Sequence, residues 1–221
     1  MIGKIYYIAN LKSEIHTPGT FGEFVNWFSR QKSYQLDIET NGTNDSWWNE
    51  IKIISIQFGS CTSDRVQWFL QWSELTDIQK GIVKKLLEDD KKQKLIHNAA
   101  YEYIVFRFHD IILENVYDTM LAEKVLMGGL ENENYALSDI SYKYLRILMD
   151  KSLQLSFADN IMTDAKITYG ITDVAYLDVI RSIQLMDARV KNLINVISLE
   201  NDAVLAFSDI TYNGMYLDKE K

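Results

Sequence analysis

The stretch Tyr34-Gln35-Leu36-Asp37-Ile38-Glu39-Thr40 is the part of the chain from which the rest can be read outward. Apolar and polar side chains alternate along it, the period of a strand with one face against a core. On such a strand Asp37 and Glu39 point together, while Leu36 and Ile38 point to the other side. Two carboxylates side by side repel, and each resists ionising beside the other. A divalent cation between them relieves that repulsion. Oxygen ligands of this kind suit Mg²⁺, which binds through a few carboxylates plus substrate phosphates. Taken alone, an Asp-x-Glu pair more often marks an edge strand with solvated acids.

Upstream of this strand, residues 4–8 read as a short strand and 21–28 as a helix. Downstream, residues 50–58 and 65–70 read as strands. Asn41-Gly42 and Gly59-Ser60 in the short connections suit antiparallel hairpins. Leu75, Ile78, Ile82, Val83, Leu86 and Leu87 then recur at threes and fours, which makes one apolar helical face. Thr76 with Gln79 three residues later forms a capping box at its start. The charged run 88–94 reads as a solvated loop. Leu95-Ile96-His97 reads as a strand leading through Asn98 into a helix over 99–108. A further helix over 118–127 stops at Gly128-Gly129, where glycine takes the left-handed conformation. From Leu137 onward the chain reads helical, with an interruption around 152–162. Strands first and helices after predict an α/β or α+β domain whose sheet forms early.

Composition sets the outer bounds. The 221 residues are 47% hydrophobic, 24% charged and 12% aromatic, as expected of a globular protein with a substantial core. Cys61 is the single cysteine, which excludes an intrachain disulfide. The opening MIGKIYYIAN lacks the apolar core of a signal peptide. No apolar run approaches the roughly 20 residues needed to span a bilayer. An intracellular, cytoplasmic protein without a membrane partner is expected. Pro18 is the only proline, and no Gly/Ser-rich tract or internal repeat marks a linker. The net charge of −8 has the wrong sign for phosphate binding through Lys and Arg. Two readings stay open at this point: a protein with no nucleic-acid partner, or one whose acids hold divalent cations that invert the local field.

Two further groups carry acids. In His97-Asn98-Ala99-Ala100-Tyr101-Glu102, Asn98 as helix cap would place Glu102 one turn in, near the positive helix N-terminus and facing the preceding strand end. In Tyr169-Gly170-Ile171-Thr172-Asp173, the i, i+4 spacing puts Tyr169 and Asp173 on one helix face. Ile167, Ile171 and Val174 form an apolar stripe roughly opposite. Gly170 costs a helix about 1 kcal/mol relative to alanine but leaves room for a close neighbour.

Taken in order, Leu36-Asp37-Ile38-Glu39-Thr40, the 97–102 segment and the 169–173 segment resemble the Exo I, Exo II and Exo III motifs of the DEDD exonucleases, tyrosine subtype. That subtype includes ribonuclease D and the proofreading 3′-5′ exonuclease domain of family A, polymerase I-like DNA polymerases. Tyr117-Asp118-Thr119-Met120-Leu121-Ala122 is similar to the segment after Exo II. Leu137-Ser138-Asp139-Ile140 through Tyr144-Leu145, with Asp150-Lys151-Ser152-Leu153-Gln154, is similar to the stretch before Exo III. The match covers about 33–185. One position departs from the pattern: Glu102 stands where the family usually has Asp, which keeps the carboxylate but changes its reach.

The resemblance implies an α/β, ribonuclease H-like fold with a mixed central sheet flanked by helices. It implies two Mg²⁺ or Mn²⁺ ions held by Asp37, Glu39, Glu102 and Asp173, with Asp37 shared by both, Glu39 and Asp173 completing the first site and Glu102 serving the second. Tyr169 would orient the attacking water, and Thr40 and Asn98 would hold the terminal nucleotide. The substrate would be DNA with a free 3′ end, single-stranded or frayed, releasing nucleoside 5′-monophosphates. The tail, Glu200-Asn201-Asp202 through Phe207 and then Tyr212-Asn213-Gly214-Met215-Tyr216-Leu217-Asp218, is similar to the entry into the polymerase portion of family A enzymes. On that reading 1–198 is the exonuclease domain and 199–221 a junction leading into a polymerase domain of the same longer chain. Two alternatives remain: a ribonuclease D-like RNA exonuclease, and a catalytically silent module that binds nucleic acid or braces a polymerase. His97 is expected to pack near the strand end. His16 and His109 lack ligand-like spacing, Trp47-Trp48 suits a core or partner surface, and Cys61 has no histidine companion.

Overall fold

The alternation in the opening stretch is realised as a strand, β3 (Ser33–Thr40). The computed structural model describes residues 2–42, 48–130 and 134–215. Among the described residues β3 is joined by β1 (Ile5–Ile8), β2 (Thr17–Pro18), β4 (Ile53–Ser60), β5 (Gln67–Gln71), β6 (Gln93–Ile96) and β7 (Val116–Asp118). They form one mixed sheet in the order β2-β1-β5-β4-β3-β6-β7. β3, β4 and β5 pair antiparallel, as the hairpin signals predict. β6 lies parallel to β3, β7 parallel to β6, and β1 parallel to β5. Central β4 is buried along its whole length, because helices cover both faces of the sheet.

Helices α1 (Phe21–Ser29), α2 (Asp77–Leu87) and α3 (Ala99–Phe108) cover one face. Phe24, Trp27 and Phe28 lie one helical turn apart, so α1 presents them together to Tyr34, Leu36, Phe58 and Trp68. Each such side chain contributes roughly 1.5–3 kcal/mol by leaving water. The Thr76–Gln79 capping box predicted for α2 is present in both directions. On the other face, α4 (Thr119–Leu126), α5 (Leu137–Leu145) and α7 (Leu177–Val190) cluster with Leu95 and Tyr117. α6 (Asp164–Val174) lies on the same side, over β3, β4 and β5. α8 (Ile194–Asn213) packs along α3 and α4, and the division expected at 198 falls inside it. Among the described residues no helix is long and apolar enough to cross a membrane.

Some expectations fail for physical reasons. Residues 88–94 are not all a solvated loop: Gln93 and Lys94 open β6, and Lys94 is fully buried. Its long stem lies in the sheet while the ammonium donates to the carbonyls of Asp89 (2.6 Å) and Lys92 (3.0 Å), so charge alone does not forbid a strand there. Burial pushes its pKa down to about 8. β2 and β7 went unread because two or three residues are too short to show a period. The interruption after α5 begins sooner than expected, with Arg146 in the left-handed region at φ 59°. Gly128 and Gly129 do end α4 with positive φ, at 66° and 68°. Trp47 and the tail residues Tyr216, Leu217 and Asp218 lie outside the described residues.

Candidate active site

Strand pleating sends Leu36 and Ile38 into the aromatic core and leaves Asp37 and Glu39 on the opposite face. α6 crosses that face closely. A Cβ on Gly170 would stand 2.9 Å from Gln57 Nε2 and 3.1 Å from two carbons of the same side chain, so the helix approaches β4 only because residue 170 has no side chain. This approach delivers Asp173 to the strand acids. Oxygens of Asp37, Glu39 and Asp173 all lie within 4.8 Å of one another. Tyr169 stands one turn before Asp173, close enough for the Asp173 charge to act on its phenol. The Tyr169 ring packs against Phe157 at 6.0 Å. Both side chains are buried, as are Ile167, Ile171 and Val174, so α6 is covered on two faces rather than along the apolar stripe alone.

Glu102 completes the group from α3. It is 3% exposed and stands close enough to Asp37 for that charge to act on its carboxyl. The start of α3 differs from the expected geometry: Asn98 adopts φ 73° and its side chain makes no capping bond. Asp118 serves instead, accepting from Asn98 N–H (3.1 Å) and Ala99 N–H (2.8 Å). The same carboxylate caps α4 through Met120 N–H (2.9 Å) and Leu121 N–H (3.3 Å). A carboxylate accepts more strongly than an amide, and one placed between two helix starts neutralises both dipoles. Asn98 thus contributes its backbone, and Asp118 holds the turn from which Glu102 projects.

Crowding governs the protonation of these acids. Burial, then the charge of Asp173, pushes the Asp37 carboxyl well above its ordinary range. Burial and Asp37 do the same to Glu39 and Glu102. Burial also raises Asp173, opposed by Lys151, whose Nζ donates to Oδ1 at 2.8 Å. The Tyr169 phenol is raised by burial and by Asp173, so it is neutral at physiological pH. Acids this close cannot all ionise without cations. Glu102 Oε2 is buried and meets no hydrogen-bond partner among the described residues. An all-oxygen donor set with an orphaned buried oxygen fits hard divalent ions.

At the margin, Thr40 Oγ1 and the Tyr101 hydroxyl are 2.8 Å apart, and the Tyr101 ring packs against Trp48 at 5.6 Å. The charges of Glu102, Glu39 and Asp37 all act on Tyr101. Tyr101 and Lys151 lie within the family-like segments, but nothing in their local sequence marks them; their roles arise only through partners across space. His97 packs as expected, with Nδ1 2.9 Å from Thr119 Oγ1, and burial followed by Lys151 pushes its pKa down to about 4. The His16 ring rests on Thr168 and the Asp164 carbonyl. Burial pushes the Cys61 thiol up to about 11, which leaves it a poor nucleophile.

A family model described as 3′-5′ exonuclease matches residues 15–204. No curated protein matches the chain in sequence. In three dimensions it is similar to Brucella melitensis NrnC with bound Mg²⁺, at 15% identity and TM-score 0.73 over 97% of this chain and 95% of that one. Escherichia coli RNase D, an exoribonuclease involved in structured RNA processing, is similar at 15% identity and TM-score 0.69, over 85% of this chain and 48% of that one. The POL domain of Pol1 from M. smegmatis, complexed with DNA primer-template and dNTP, is similar at 14% identity and TM-score 0.73, over 97% of this chain and 33% of that one. At these identities the likeness is one of fold, the mixed, ribonuclease H-like sheet with flanking helices. With 15–204 matched, this chain belongs to the 3′-5′ exonuclease family.

Proposed function

We propose that this site hydrolyses the 3′-terminal phosphodiester of a nucleic-acid strand with divalent metals, releasing nucleoside 5′-monophosphates one at a time. The observation that carries the reading is the meeting of Asp37, Glu39 and Asp173 within 4.8 Å, with buried Glu102 beside Asp37 and Tyr169 one helical turn from Asp173. Asp37, Glu39, Glu102 and Asp173 would hold two Mg²⁺ or Mn²⁺ ions, Asp37 being shared. Such ions, when bound, acidify water and stabilise the attacking and leaving oxygens of an in-line displacement. Tyr169 orients the attacking water by hydrogen bonding; a phenol raised above its ordinary pKa is no base at neutral pH. Thr40, tied to Tyr101, and Asn98 hold the terminal nucleotide. Metals held by these acids, rather than a basic surface, would anchor the phosphate, which reconciles a net charge of −8 with a nucleic-acid substrate.

The substrate is read as DNA with a free 3′ end, single-stranded or frayed. The support is the family A polymerase-like tail, on which reading 1–198 would be a proofreading unit and 199–221 the lead into a polymerase domain. A second reading, RNA as substrate, is supported by the likeness to RNase D, an exoribonuclease, and by the Brucella nuclease, which has been solved bound to pGG. The test is digestion of 5′-labelled DNA and RNA of one sequence, with Mg²⁺ or Mn²⁺, by the wild type and Asp37→Ala. Stepwise shortening from the 3′ end, reduced by about 10²–10³-fold in the variant, is expected, the scale of removing a transition-state charge stabiliser. Undiminished activity in Asp37→Ala sinks the proposal. Faster digestion of RNA than of DNA replaces the first substrate with the second.

A further inference from the structure

Among the described residues, one cation of the chain's own stands in the acid cluster. Lys151 stands in the irregular segment between α5 and the short 3-10 turn Ser156–Asp159, outside all three acidic motifs. Its Nζ donates to Asp173 Oδ1 at 2.8 Å and lies 5.4 Å from the centre of the Tyr169 ring. The Asp173 side chain is 10% exposed and that of Lys151 32%, so the pair is partly shielded and the ammonium keeps a path to solvent. Its charge also acts on Asp37 and Glu39.

An ammonium beside Asp173 and a divalent ion among Asp37, Glu39 and Asp173 would be like charges a few ångströms apart, where their repulsion is strong away from bulk water. Both cannot stay. Lysine has a flexible four-carbon stem that lets its head group leave without moving the backbone. We propose that Lys151 is an exchangeable counter-ion: it holds the acids together in the metal-free protein and is displaced from Asp173 when a divalent ion arrives. The inference rests on the metal-site reading above. It makes Lys151 a positioning residue with two effects of opposite sign. Removing it weakens the metal-free protein, because the acids lose their neutralising partner, and it tightens metal binding, because the ion no longer displaces a charge-assisted hydrogen bond.

The experiment is Mn²⁺ titration by calorimetry on the wild type, Lys151→Met, Lys124→Met and Asp37→Asn, with thermal melts in EDTA and in saturating Mn²⁺. Lys124, whose Nζ lies over the Tyr135 ring, carries the same charge outside the acid cluster. Lys151→Met is expected to bind Mn²⁺ on the order of ten-fold more tightly, to melt lower than wild type in EDTA, and to close that gap in Mn²⁺. Lys124→Met is expected to bind like the wild type. A lysine that only braced the fold would lower both melts and leave affinity unchanged. Unchanged or weaker Mn²⁺ affinity in Lys151→Met, with binding abolished in Asp37→Asn, overturns the exchange. A tightening of the same size in Lys124→Met reduces it to net charge and overturns it too. Mn²⁺ binding that persists in Asp37→Asn instead overturns the metal-site reading itself, and the exchange with it.

Discussion

Gly170→Ala probes the contact that brings α6 down onto the sheet. On helix propensity alone the substitution should stabilise, by about 1 kcal/mol. The added methyl, however, would sit 2.9 Å from Gln57 Nε2 and 3.1 Å from two of its carbons. Gln57 cannot yield cheaply, since it is fully buried and its Nε2 donates to Ser55 Oγ at 2.7 Å. Moving it leaves buried donors unpaired, at roughly 1–3 kcal/mol. Moving the helix instead is overpacking, again about 1–3 kcal/mol. The net expectation, cost less propensity gain, is a loss of up to roughly 2 kcal/mol in urea unfolding, and the loss should shrink in Gly170→Ala with Gln57→Ala, since two residues in contact couple. Because α6 carries Tyr169 and Asp173, a displacement of about 1 Å should also lower the exonuclease rate by about 10²-fold. A Gly170→Ala protein as stable as the wild type and fully active would refute the claim that this close approach sets the site.

In EDTA, stability should fall as pH rises from 6.5 to 8. The carboxyls of Asp37, Glu39 and Glu102 are raised in the folded state, so the fold retains protons that the unfolded chain has released, and unfolding becomes easier by about 1.4 kcal/mol per pH unit for each retained proton. His97, at about 4, and His109, also lowered, oppose this slope near pH 6.5, where the unfolded imidazoles are still about half protonated, and hardly at all by pH 8; Lys94, at about 8, begins to add stability only near the upper limit. Urea unfolding at three pH values checks the sign; a flat or rising profile contradicts it, and saturating Mg²⁺ should remove the slope. Asp118→Ala should cost roughly 2–4 kcal/mol by the same assay, because one carboxylate, 1% exposed, caps both α3 and α4. A loss under about 1 kcal/mol would show that water replaces it.

The motifs' local geometry was legible because it is periodic. Asp37 and Glu39 share a strand face, and Tyr169 and Asp173 a helix face, by consequences of backbone repeat that hold whatever surrounds them. The capping box at Thr76 and the left-handed stop at Gly128-Gly129 were legible for the same reason: each is complete within four residues. Asn98 as a cap was a reasonable local inference that failed, because a stronger acceptor arrives from Asp118, far along the chain. Lys94 was misread because its charge was weighed without the carbonyls that satisfy it.

The amino-acid order by itself therefore settled which side of each element the acids occupy and which family pattern they follow. Tertiary structure alone decided that they meet, that Glu102 stands beside Asp37 in spite of its longer side chain, and that Lys151 stands among them. The physical reason is range. Dihedral preference and side-chain period act over one or two turns, whereas Asp173 reaches β3 only through a helix-on-sheet approach permitted at Gly170. Such contacts depend on how whole layers pack, which no short window of residues encodes.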